Sequence, residues 1–172
     1  MLVLVKLLNH PRRIWWLILG VCGGLLSFGA YLQHVVGLEP CPMCIVQRYV
    51  MVLMALVALL GASLPGRNVA LVTGSFLGVL GGGGAYVAAR QSWLQWYPPE
   101  VVSCGRDFYG MIETFPLQRA IPMIFKGGGD CSKIDWTFLG GSIANWSFVA
   151  FVGLSVLALA CVLRVMRSTS RP

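Results

Sequence analysis

The sequence predicts an all-α membrane protein, a four-transmembrane-helix bundle with a long, loop-rich connection between helices three and four. Three observations lead there. Apolar residues make up 57% of the 172-residue chain and charged residues only 11%, with a mean hydropathy of +0.76, too little polar surface to cover a soluble globule. Four runs reach the roughly 20 apolar residues that a helix needs to cross a hydrocarbon core about 30 Å thick. All the acidic residues also fall in the first and third connections, while seven basic residues fall in the N-terminal lead, the second connection or the C-terminal tail.

The first run, 14–33, follows Lys6, Arg12 and Arg13 and ends near Gly29 and Ala30. A cleavable signal has the same order of basic lead, apolar core and small residues. Cleavage would leave three spans and carry the basic tail outside, so the run is read as a retained helix. The second run, 44–64, opens on a Cys-Pro-Met-Cys motif, EPCPMCIVQRYVM. The third, 68–89, contains the four glycines 81–84, which inside a span favour close helix packing over a phosphate loop. The fourth is 143–163. None alternates like a barrel strand, and backbone in lipid must satisfy its own hydrogen bonds, so each run should be a helix.

Charge orients the bundle. Lys6, Arg12, Arg13, Arg67, Arg164, Arg167 and Arg171 lie in the N-terminal lead, the second connection or the C-terminal tail. The positive-inside rule makes that side cytoplasmic, both termini included. All the acids, Glu39, Glu100, Asp107, Glu113, Asp130 and Asp135, lie in the outward connections 34–43 and 91–142. The net charge of +7 therefore reports topology, and no nucleic-acid partner is needed to explain it. Trp15 and Trp16 at the inner end, with Tyr31, Tyr49, Trp93, Trp96, Tyr97 and Trp146 near outer ends, suit interfacial belts. The long outer connection is rich in proline (Pro98, Pro99, Pro116, Pro122) and in glycine at 127–129. Within it, FPLQRAIPMIF (115–125) is apolar enough to rest on the bilayer surface.

Six cysteines divide by position. Cys22 and Cys161 are deep in spans, where a thiol acts as a small hydrophobe. Cys41, Cys44, Cys104 and Cys131 share the outer side, where thiols can be oxidised if that side is a bacterial periplasm. Three readings stand. Structural zinc prefers two closely spaced pairs, and residues 105–130 separate the second pair. A Cys104–Cys131 staple would stabilise by about 3–4 kcal/mol. The Cys41/Cys44 pair, three residues apart, closes almost no loop, which points to redox chemistry. If the second helix starts near Cys44, that thiol meets free backbone N–H groups at the positive end of the helix dipole, which favours thiolate. Arg48 is one turn further in on the same face, about 6 Å along the axis. It either snorkels to the interface or partners the thiol. Gln47, at i+3 from Cys44, is placed to add a hydrogen bond.

Taken together, CPMCIVQR at the start of helix two, YPPEVVSC before the third cysteine and GDCSKIDWTFLG around the fourth resemble the DsbB family of disulfide-generating membrane proteins over essentially the whole chain. The resemblance implies a Gram-negative inner-membrane enzyme that reoxidises a periplasmic, thioredoxin-fold DsbA-like thiol oxidase and passes the electrons to ubiquinone or menaquinone. It implies that Cys104 forms the mixed disulfide with the partner, Cys131 completes the loop pair, Cys41 exchanges with that pair and Cys44 faces the quinone. Arg48 matches the family's quinone-site arginine, and Gln47 and Gln91 are candidate quinone contacts with it. The chain departs from the family at Gln91, where some members carry a histidine near the quinone. A relative of vitamin K epoxide reductase would have the CxxC after the loop pair, the reverse of the order here. A membrane scaffold with a stapled loop is the non-enzymatic rival, and it predicts no redox response from Cys41 or Cys44. The glycine run beside Cys131 and the lack of a long apolar core in the loop lead us to expect an exposed, readily reduced Cys104/Cys131 pair.

Overall fold

The computed structural model of the protein describes residues 10–98 and 129–168, with backbone alone at 129 and 130. Lys6, Glu100, Cys104, Asp107, Glu113, Arg171 and the segment 115–125 lie outside them, as does the side chain of Asp130.

Four long helices form the bundle: α1 (Pro11–His34), α2 (Pro42–Ser63), α3 (Arg67–Trp96) and α5 (Ile143–Arg167). All four are long and apolar enough to cross a membrane. Between α3 and α5 come a single turn, α4 (Gly129–Ser132), and a minimal antiparallel hairpin of β1 (Thr137–Phe138) and β2 (Gly141–Ser142). Its reversal needs positive φ at Leu139 and Gly140, and glycine reaches that region without strain.

Local chemistry sets the helix starts. Pro11 and Pro42 sit in the first turns of α1 and α2, where a fixed φ and a missing N–H cost nothing. Ser142 caps α5, its hydroxyl accepting from the Asn145 N–H at 3.4 Å. The helix that follows the dithiol motif thus begins at Pro42, two residues before the expected start, and Cys41 becomes its N-cap.

Small residues set the packing. Along α3, Gly74, Gly78, Gly81 and Gly84 face α5, so that a Cβ at Gly84 would lie 2.5 Å from the Phe151 ring. Gly82 and Gly83 have open space instead. Half of the glycine run therefore serves close helix approach, as glycine does in membrane interfaces, and the other half faces outward. Ile14, Cys22, Met54, Leu77, Phe151 and Cys161 fill the common core. Cys22 and Cys161 are wholly buried, as small hydrophobes there should be.

Two expectations are corrected. Trp15 does not join an interfacial belt: it is fully buried while Trp16 is 56% exposed, because the open backbone at Gly74 admits the indole edge against α3. Helix α3 runs on to Trp96, about two turns past the expected end at residue 89, so Gln91 lies on the helix and not in the loop. Hydropathy falls there before the helix does, since Gln91 and Gln95 are polar but bond to protein partners and Ser92 is buried.

The connectivity gathers the described acids at one end, where Arg48, Arg90 and Lys133 also lie. Glu39, Asp135 and the dithiol motif lie at that end of the bundle, and Arg12, Arg13, Arg67, Arg164 and Arg167 at the other.

Candidate active site

At the dithiol end the start of α2, the last turns of α1 and α3, and the segment from α4 to α5 converge. Cys41 Sγ and Cys44 Sγ stand 2.6 Å apart. One helical turn brings residues i and i+3 together, and the cap geometry tightens it: the Cys44 N–H donates to Cys41 Sγ at 3.3 Å. The backbone donor expected to favour Cys44 therefore serves Cys41 as well.

Cys131, on α4, joins them. It packs with Cys41, Met43, Val87 and Leu94 in a second, smaller apolar cluster and is only 1% exposed. The expectation of an exposed pair is overturned for this member, because the extra turns of α3 supply Leu94 as an apolar platform for the α4 turn. Cys104 lies outside the described residues. The Cys131 side chain lies against that of Cys41, close enough for the two to interact. That interaction first, then the one with Cys44 and burial, holds the Cys41 thiol well above the usual cysteine range.

Two glutamines stand behind the sulfurs. Gln91 Nε2 lies 3.3 Å from Cys41 Sγ and 3.2 Å from Cys44 Sγ. Gln47 Nε2 donates to Gln91 Oε1 at 2.7 Å. Gln47 thus reaches the sulfurs through Gln91 rather than bonding Cys44 itself.

Arg48 turns toward α1. Its guanidinium donates to Gly29 O at 3.0 Å and to Gln33 Oε1, partners that periodicity alone did not single out. An arginine held by a main-chain carbonyl and an amide inside the bundle is not simply stretched toward water.

Cys44, Gln47, Arg48 and Gln91 all line one cavity of about 540 Å³. Its other walls are mainly apolar, among them Leu25, Leu26, Met51 and Ile143. Aromatic rings close its outer edge: Phe28 of α1 meets Trp136 edge-on at 5.6 Å between centroids, and Trp136 stacks on Phe138 at 6.0 Å. Trp146 Nε1–H donates to Phe138 O at 2.9 Å. Ser142 Oγ–H donates to Gln95 Oε1 at 2.6 Å, and Gln95 Nε2 donates to Lys133 O at 3.4 Å, which ties the α4–α5 segment to α3. The sequence marked none of these roof contacts.

The family model described as Disulfide bond formation protein DsbB matches residues 11–161. The chain belongs to the DsbB family. Its curated relatives include Disulfide bond formation protein B of Polaromonas naphthalenivorans, 66% identical over 164 residues, covering 95% of this chain and 98% of that one. The protein of the same name from Albidiferax ferrireducens is 70% identical over 159 residues, covering 91% and 90%, and that from Azoarcus is 47% identical over 157 residues, covering 91% and 95%. This DsbB-family protein is a multi-pass bacterial inner-membrane protein with a disulfide-forming oxidoreductase role.

Proposed function

We propose that the protein reoxidises a periplasmic thiol oxidase of the DsbA kind and passes the electron pair to a membrane quinone, ubiquinone or menaquinone. The observation that carries this reading is the three-sulfur cluster of Cys41, Cys44 and Cys131 set against an apolar cavity that also holds Arg48.

In this reading a thiolate of the partner attacks Cys104 of a Cys104–Cys131 disulfide, forming the mixed disulfide and releasing Cys131 with the electron pair. Cys131 then attacks Cys41 of a Cys41–Cys44 disulfide, and Cys44 leaves as the thiolate. The partner's second thiolate attacks the partner sulfur of the mixed disulfide, releasing the oxidised partner and the Cys104 thiolate; Cys104 then attacks Cys131 of the Cys41–Cys131 bond, which restores Cys104–Cys131 and leaves the electron pair on Cys41 and Cys44. The contact between Cys131 and Cys41 supports the middle exchange, since thiol–disulfide exchange needs the attacking sulfur against its target.

The residues present fit a quinone. Its apolar body and chain suit the walls formed by Leu25, Leu26 and Met51, and its carbonyl oxygens accept hydrogen bonds of the kind Arg48 gives, a fork of five N–H donors of which Gly29 O and Gln33 engage part. When bound, the quinone supplies a two-electron acceptor that stays in the lipid phase. Arg48 would hold it, and a positive charge in this weakly screened setting also favours the Cys44 thiolate. With the end that carries Arg12, Arg13, Arg67, Arg164 and Arg167 cytoplasmic, as the positive-inside rule has it, the sulfur end faces the periplasm.

The test is direct. Purified protein mixed anaerobically with the reduced partner and a short-chain ubiquinone should bleach quinone absorbance in step with partner disulfide formed. Partner oxidation that ignores added quinone would contradict the proposal.

A further inference from the structure

We propose that Gln47 and Gln91 form an oriented amide pair serving the two sulfurs of the dithiol, with Gln91 as donor to both and Gln47 as the positioning residue that fixes which face of the Gln91 amide they meet. This deepens the thiol-to-quinone reading of the same site and rests on it for its role in turnover. Its geometry stands apart from that reading.

A primary amide carries two N–H donors on nitrogen and an acceptor on oxygen. One nitrogen of Gln91 lies within hydrogen-bond range of both sulfurs, at 3.3 and 3.2 Å, so the two sulfurs, 2.6 Å apart, share the donors of one amide NH2. The opposite end of the same amide accepts from Gln47 at 2.7 Å. Both side chains are buried, at 3% and 4% exposure, so water does not offer a substitute partner. Turned over, the Gln91 oxygen would face electron-rich sulfur and its nitrogen would face the Gln47 donor. Both contacts would then be repulsive, and a buried amide so placed loses its hydrogen bonds outright. With Gln47 donating, the pair therefore favours the orientation in which the Gln91 NH2 faces sulfur.

The consequence is chemical. A thiolate is a much stronger acceptor than a disulfide sulfur, and bonds to charged acceptors are the strong ones. When Cys131 attacks Cys41, a Cys41–Cys131 bond forms, the Cys41–Cys44 bond breaks and its electron pair goes to Cys44 Sγ. The Gln91 N–H facing Cys44 strengthens as that charge appears, so it assists the leaving group more than the ground state. Being neutral, the amide donates at any physiological pH and adds no charge to the membrane interior.

The experiment uses the full-length protein in detergent, reduced, and pulsed with iodoacetamide at pH 7, with Cys44 alkylation followed by peptide mass spectrometry. Neither quinone nor partner is present, so failure of the thiol-to-quinone reading would not change the outcome. Gln91→Leu and Gln91→Glu should each slow Cys44 alkylation about tenfold, the scale of one lost hydrogen bond to a charged group. Gln47→Glu should slow it similarly, because a carboxylate only accepts and draws the Gln91 NH2 away from sulfur. In a Gln91→Leu background Gln47→Glu should add nothing. Cys22 and Cys161, sealed in the bundle core, report folding by staying unalkylated; if Gln91→Leu opens the core, the isosteric Gln91→Glu takes its place in the cycle. Wild-type alkylation rates in the folded variants, or a Gln47 effect that persists without Gln91, would overturn the proposal.

Discussion

The two halves of α3 are built on opposite rules. From Gly74 to Gly84 the helix presents glycines to α5 and makes backbone-close contact with almost no polar chemistry. From Gln91 to Gln95 the same helix presents amides that reach the dithiol, α2 and the α4–α5 segment. The contrast teaches where specificity resides: a dry glycine seam can hold two helices together by shape, whereas the redox end must give its buried amides partners while leaving a sulfur poised to react.

The comparison breaks most sharply at the sulfurs. Replacing Cys44 by Ser should reduce quinone-linked partner oxidation to background while leaving the bundle folded, measured as turnover alongside thermal stability. The seam should behave in reverse. Gly84→Val drives a side chain into Phe151 and should cost about 1–3 kcal/mol or more, typical of overpacking. Gly83→Ala, with open space around it, should be neutral or slightly stabilising, since alanine is the better helix former. Thermal unfolding of the two variants reads that difference.

Part of the seam was legible beforehand: of the run 81–84, Gly81 and Gly84 do face α5, while Gly74 and Gly78 were not singled out. Span number and glycine placement follow from local hydropathy and size, which act through the nearest turns of one helix. The site was legible only in part. CPMCIVQR announces a dithiol with an arginine one turn on, because that spacing is intrahelical. The Gly29 carbonyl and Gln33 that hold Arg48 come from another helix, and no period in the sequence connects them to it. The burial of Cys131 was hidden for the same reason: its platform combines Met43 with Val87 and Leu94 from two helices. The end of α3 was misplaced because polar residues that face protein look, in a hydropathy profile, like residues that face water.

Smaller effects sharpen the contrast further. Arg48→Ala should raise the apparent KM for quinone about ten- to a hundredfold, the equivalent of roughly 1.5–3 kcal/mol for a charge-assisted hydrogen bond, with a lesser effect on KM for the thiol partner. Equal losses for both substrates would place Arg48 in bundle packing alone. Smallest of all, Ser92 carries a buried hydroxyl with no hydrogen-bond partner among the described residues. Ser92→Ala should therefore leave turnover unchanged and shift stability by no more than about 1 kcal/mol, toward stabilisation, because an unsatisfied polar group is removed. A thermal melt checks this.

The central claim is that electrons leave the dithiol for a quinone held beside Cys44. The most direct measurement starts from fully reduced protein under anaerobic conditions, adds one equivalent of a short-chain ubiquinone with no partner present, and follows the Cys41 and Cys44 thiols by mass spectrometry. The account predicts that a Cys41–Cys44 disulfide appears in proportion to quinone absorbance lost, and that Arg48→Ala slows it at low quinone concentration. Thiols that stay reduced beside unchanged quinone would contradict it.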